Sequence, residues 1–108
     1  MALQRLFANL IDNAVKYGSR ARVTVFERGR EAVATIADDG PGLSPEDLDR
    51  VFTPFYRTEA AQAHAESGVG LGLSIARAVA RAHGGEVTLR SDSSGLVAEV
   101  VLPLARRR

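Results

Sequence analysis

The chain has 108 residues, enough for one domain with a single modest core. A formal charge of +1 gives no electrostatic reason to expect nucleic acid or another polyanion, and the absence of cysteine excludes disulfides, thiol nucleophiles and thiolate metal sites. No apolar run approaches the ~20 residues of a membrane span and the start carries no signal-peptide pattern, so a soluble, cytoplasmic chain is expected.

In chain order, Leu3, Leu6, Phe7, Leu10, Ile11 and Ala14 recur at helical spacing, predicting an amphipathic helix over 3–17 that Gly18 and Ser19 end. Residues 21–28 and 31–38 alternate in polarity across a turn at Gly29, the pattern of an antiparallel hairpin. Ser44, Pro45 and Glu46 open a short helix running to about Val51. From Thr53 to Gly68 no periodicity survives, a loop of a length usually reserved for function. A further helix is predicted over 71–83, closed by Gly84 and Gly85, and a second strand pair over 86–91 and 96–103 across Ser94 and Gly95. Such a chain packs as two layers, helices over one face of a mixed or antiparallel sheet. Arg106, Arg107 and Arg108 read as a solvated tail.

Four stretches carry chemistry. Asn9 and Asn13 stand four apart on one helix, so both carboxamides leave the same face, which Lys16 and Tyr17 extend. Asparagine is a middling helix former, so two on one stripe suggest a purpose, although a solvated polar face explains them equally well in isolation. Lys16, the only lysine, offers a compact ammonium suited to a phosphate. Asp38 is in step with Ala32, Ala34 and Ile36, so its carboxylate is expected on the covered side of the strand, where it needs a partner. Asp39, shifted by one, faces elsewhere. Read alone, the run from Asp38 to Gly42 is better explained as a simple Asp-Gly turn, which is common; beside the other stretches the balance reverses. Phe52, Pro54, Phe55 and Tyr56 read as a hydrophobic latch at the base of the long loop, with core packing sufficient to explain Phe52. Gly68, Gly70 and Gly72 precede a helix, where free N–H groups and the helix dipole favour anions. Leu73 occupies the third glycine position of a dinucleotide fingerprint, which excludes that motif, and no Walker A sequence is present.

In this order and spacing the four stretches resemble the N, G1, F and G2 boxes of the ATP-binding catalytic domain of sensor histidine kinases. That domain belongs to the GHKL superfamily, which also holds gyrase-type and heat-shock-chaperone ATPases. The resemblance runs from about Leu3 to Pro103 and implies one domain over 1–108 with the Bergerat-type fold, a two-layer α/β sandwich with helices on one face of a mixed, mainly antiparallel sheet. It implies ATP and Mg²⁺ as cofactors and transfer of the γ-phosphoryl to a histidine on a separate dimerisation domain, with a response regulator downstream and a parent protein of a kind often anchored in a membrane. Asn13 would supply an oxygen to Mg²⁺, Asn9 would lie beside metal and phosphates, Lys16 would meet phosphate and Tyr17 would pack on adenine. Asp38 would accept from the adenine amino group. Gly40, Gly42, Gly68, Gly70, Gly72 and Leu73 would line the nucleotide, and Arg57 would meet the γ-phosphate. The catalytic set implied is Asn9, Lys16 and Arg57.

The sequence also departs from the pattern. Superfamily ATPases carry a glutamate where Asn9 stands, and a neutral amide cannot deprotonate water, so slow hydrolysis is expected. Gln62 and His64 occupy loop positions where relatives carry basic residues, which weakens γ-phosphate positioning. Neither His64 nor His83 fits as phosphoacceptor. The first strand and helix of the family domain have no counterpart, so a truncated domain with an open sheet edge is expected. Two other readings remain: a nucleotide-binding or interaction module without kinase activity, and an anti-sigma-type serine kinase, against which the aromatic stretch Phe52–Arg57 argues.

Overall fold

The computed structural model describes residues 2–56 and 72–104. Helix α1 (Ala2–Gly18) buries Leu6, Leu10, Ala14 and Gly18, a strict four-residue spacing that makes one narrow apolar stripe. It runs one residue past the predicted end, and Ser19, at φ 72°, turns the chain out. Strands β1 (Arg22–Arg28) and β2 (Glu31–Ala37) form the expected hairpin, with Arg28 opposite Glu31. Helix α2 (Asp47–Arg50) is a single turn begun by Ser44, whose carbonyl accepts from Asp47 and Leu48.

Helix α3 (Gly72–Ala82) carries Ala76 and Ala80 fully buried, small residues that let it lie close against α1 and the sheet. It closes in a Schellman turn, with Gly85 N donating to Ala80 O at 2.8 Å and Gly84 N to Arg81 O at 3.0 Å. Strands β3 (Glu86–Asp92) and β4 (Gly95–Pro103) complete the sheet. Asp92 pairs directly with Gly95, so the turn is Ser93–Ser94 and Gly95 already belongs to the strand, one residue earlier than the sequence pattern placed it.

The described strands make one four-stranded sheet in the order β1-β2-β4-β3, antiparallel throughout. Helices α1 and α3 pack on one face, over β2, β4 and β3. Register shows the consequence: Val87, Val100, Ala34 and Val25 form one row across the sheet, at 0%, 1%, 5% and 70% exposure. All seven β1 residues are exposed, so the half-buried strand that its alternation predicts is not seen. No described helix lies over it. The opposite sheet face carries polar groups, including Arg90 bonded to Glu99 at 3.3 Å. No helix among the described residues is long and apolar enough to cross a membrane.

Candidate functional site

The candidate site lies where the end of α1, the turn after β2 and the start of β4 meet. Asp38 follows β2 directly and is the one buried charged residue among those described, at 5% exposure. Its Oδ1 accepts from two backbone amides, Gly40 N at 2.9 Å and Leu96 N at 3.0 Å. Its own N–H donates to Leu96 O at 2.9 Å. Both bonds to the carboxylate fall on Oδ1, and Oδ2 carries none among the described residues. This arrangement meets the requirement that a buried acceptor be satisfied while leaving one oxygen for a donor from outside.

Space around Asp38 is available because the neighbouring residues lack side chains. A Cβ on Gly18 would stand 2.2 Å from Asp38 Cγ, and one on Gly40 would stand 2.6 Å from Tyr17 O. The sequence treated Gly18 as a helix stop; in the structure it is the floor under the carboxylate. Asp39 N bonds Gly18 O at 3.0 Å, tying the turn to the helix end. The Asp39 side chain turns outward to Arg20 and Arg22, and the hydrogen bond from Arg22, joined by that from Arg20, holds its carboxyl below the usual range.

Asn9, Asn13, Lys16 and Tyr17 are all half-buried along α1, in line with the same corner. Asn9 Nδ2 donates to Gly72 O at 3.3 Å, which joins the first box to the head of α3. Asn13 is half-buried one turn beyond Asn9 on α1, and its carboxamide oxygen is of the ligand type that a hard cation takes. Lys16 Nζ lies 3.8 Å from the exposed carboxylate of Asp12, an i, i+4 pair along α1. A pair this exposed is worth only about 0.3–0.5 kcal/mol and yields easily to a phosphate. Gly42 sits against Ser91, whose hydroxyl accepts from Leu43 N at 2.8 Å and donates to Leu43 O at 3.0 Å. Leu73 packs against the core from the first turn of α3. Arg57, Gly68 and Gly70, with Gln62 and His64, lie outside the described residues.

The hydrophobic latch divides. Phe52 is buried, with the Arg77 guanidinium 3.7 Å above its ring. Arg77 also donates to Val87 O at 3.3 Å and pairs with Glu86 at 3.4 Å and Asp49 at 3.6 Å, so one side chain fastens the latch to α3, α2 and β3. Nothing in the sequence pattern marked Arg77. Tyr56 donates to Asp47 at 2.6 Å, a bond that with partial burial raises its phenol pKa. Phe55 stands 68% exposed with φ 68°.

Residues 1–106 match the family described as histidine kinase-, DNA gyrase B-, and HSP90-like ATPase. The sensor histidine kinase GtrS of Pseudomonas aeruginosa is 46% identical over 96 residues, covering 88% of this chain and 19% of that protein. Among solved structures, the mycobacterial sensor histidine kinase MprB matches with a TM-score of 0.81 at 30% identity, over 94% of this chain and 70% of the other. Full-length ShkA in complex with AMPPNP matches with a TM-score of 0.82 at 27% identity, over 98% of this chain and 22% of the other. The chain thus spans about a fifth of the length of GtrS.

Proposed function

From the premise that this chain belongs to the histidine kinase-, DNA gyrase B- and HSP90-like ATPase family, we propose that it is the ATP-binding catalytic part of a two-component sensor histidine kinase. It holds Mg-ATP and presents the γ-phosphoryl to a histidine on a separate dimerisation domain, in the same parent chain or in trans. The observation that carries the reading is the buried Asp38 carboxylate, pinned through one oxygen at the end of the helix that bears Asn9, Asn13, Lys16 and Tyr17.

Asp38 Oδ2 accepts from the 6-amino group of adenine, and Tyr17 packs along the ring. Asn13 offers its amide oxygen to Mg²⁺ and Asn9 lies beside it, braced on Gly72. Held by Asn13, Mg²⁺ would supply positive charge that offsets that of the phosphates. Lys16 exchanges Asp12 for phosphate, the glycine loop through Gly72 offers backbone N–H groups at the head of α3, and Arg57 meets the γ-phosphate. Because Asn9 cannot act as a base toward water, the nucleotide is held for an acceptor rather than hydrolysed quickly. His83, its Nδ1 2.9 Å from Val79 O at the end of α3, is not that acceptor. A cytoplasmic location, a response regulator downstream and a membrane-anchored parent complete the reading.

Calorimetry of Mg²⁺-dependent ATP binding, wild type beside Asn13→Ala, tests it. The variant is expected to bind about tenfold more weakly, or about 1.4 kcal/mol, and to lose most of the Mg²⁺ dependence. A folded wild-type chain that ignores Mg-ATP overturns the proposal. Supplying a dimerisation-helix segment and detecting phosphohistidine then tests the transfer step.

A further inference from the structure

Asp38 is held in place largely by a part of the chain that the four motifs leave out, the β3–β4 turn. Gly95, the first residue of β4, has φ +148°, and a Cβ there would stand 2.2 Å from Asp38 O and 2.7 Å from Asp38 Oδ1. The nearer of these atoms is backbone, which cannot swing aside like the tip of a side chain. The next residue, Leu96, clasps Asp38 in both directions: its N–H donates to Oδ1 at 3.0 Å and its carbonyl accepts from Asp38 N at 2.9 Å.

The turn that delivers these two residues is built around one carboxylate. Asp92 Oδ1 accepts from Ser94 N at 2.8 Å, Ser94 Oγ at 2.8 Å and Gly95 N at 3.1 Å. The Ser94 hydroxyl, then the backbone donors, hold the Asp92 carboxyl below its usual range. On the other flank, Ser91 bonds Leu43 through both donor and acceptor, so the turn grips the 38–43 segment at two points.

We propose that the β3–β4 turn, Ser91 to Leu96, is a base-selectivity device, with Gly95 and Leu96 as positioning residues that set Asp38 to tell a 6-amino purine from a 6-oxo purine. The inference rests on the reading of Asp38 as the adenine acceptor and deepens it. An ionised carboxylate can only accept, so a 6-oxo purine brings an acceptor against an acceptor and leaves buried polar groups unpaired. That discrimination holds only while the carboxylate stays in register with the base, and a misplacement near 1 Å costs on the order of a hundredfold where geometry decides. Gly95 and Leu96 touch no nucleotide; they act through Asp38.

Calorimetry with ATP and with inosine triphosphate, on the wild type, Gly95→Ala and Asp92→Ala, tests the proposal, each variant checked for folding by circular dichroism. The wild type is expected to prefer ATP by about tenfold or more. Gly95→Ala should bring the two nucleotides within about threefold of each other by weakening ATP while leaving inosine triphosphate nearly unchanged. Asp92→Ala, at an exposed position, should move the ratio part of the way in the same direction and decides the matter if Gly95→Ala does not fold. Variants that keep the wild-type ratio, or that weaken both nucleotides equally, overturn the proposal. A folded wild type that binds neither nucleotide removes the underlying reading, and this inference with it; a wild type that binds both equally overturns this inference and the role of Asp38 while leaving nucleotide binding in place.

Discussion

The two flanks of one sheet face behave as though they belonged to different proteins. Toward β3, Ala98 and Ile36 lie under the helices at 6% and 2% exposure; in the same row on β1, Val23 is 48% exposed. The residue types are alike and so is the alternation. What differs is whether a helix lies above, and α1 and α3 do not reach β1. Alternation therefore says which side chains share a face and leaves open whether that face has cover. Asp38 and its turn lie on the covered flank, so the candidate site draws its rigidity from β2, β4 and the helices.

The contrast is sharpest in a matched pair of truncations. Leu6→Ala, at a fully buried position, is expected to cost about 2–5 kcal/mol in denaturant titration, while Val25→Ala stays within about 0.5 kcal/mol. Equal losses would show that β1 is packed in solution. Next in size is the fastening at the edge of the covered flank. Arg77→Ala removes the ring contact to Phe52 and the pairs to Glu86 and Asp49, and about 1–2 kcal/mol is expected from thermal denaturation. A double-mutant cycle with Phe52→Leu should show coupling of at least about 0.5 kcal/mol, and additivity would sink the stacking argument.

The smallest effect concerns acid. Arg81, donating to both oxygens of Glu86 and joined by Val87 N–H and Arg77, holds that carboxyl below its ordinary range near ~4.3. A depressed folded-state pKa means that the stabilisation is fully present above the unfolded value and lost as pH falls through the folded one. Midpoint temperatures should be flat from about pH 7 to 5 and fall below that, and Glu86→Gln should shallow the fall. A parallel acid limb in the variant would assign the loss to other carboxylates.

The helical stripe of α1, both hairpins and the burial of Asp38 were legible because each is a local period: four-residue spacing in Leu6, Leu10 and Ala14, and two-residue spacing from Ala32 to Asp38. The bare β1, the work of Gly95 and the seat of Arg77 were not, because each depends on what another part of the chain brings alongside. Gly95 read as a turn glycine; only the pairing of Asp92 with Gly95 puts it against Asp38. Gly18 likewise read as a helix stop. Arg77 carries no local signal at all, since its seat exists only where α3 docks over Phe52. The candidate site was legible as a set of residue types, while the parts that hold it still were not.

The clasp between Leu96 and Asp38 spans 58 residues of sequence. During synthesis the helix with its asparagines and the first hairpin leave the ribosome well before β4 exists to receive them. Strand β4, paired locally with β3, then has to dock along β2 in one long-range closure, the slow kind of step in sheet formation. Until it does, the Asp38 carboxylate lacks the Leu96 amide and Gly95 is not beside it. The Asp38 corner is accordingly completed late, only once β4 has been made, rather than growing step by step with the helix and hairpin that precede it.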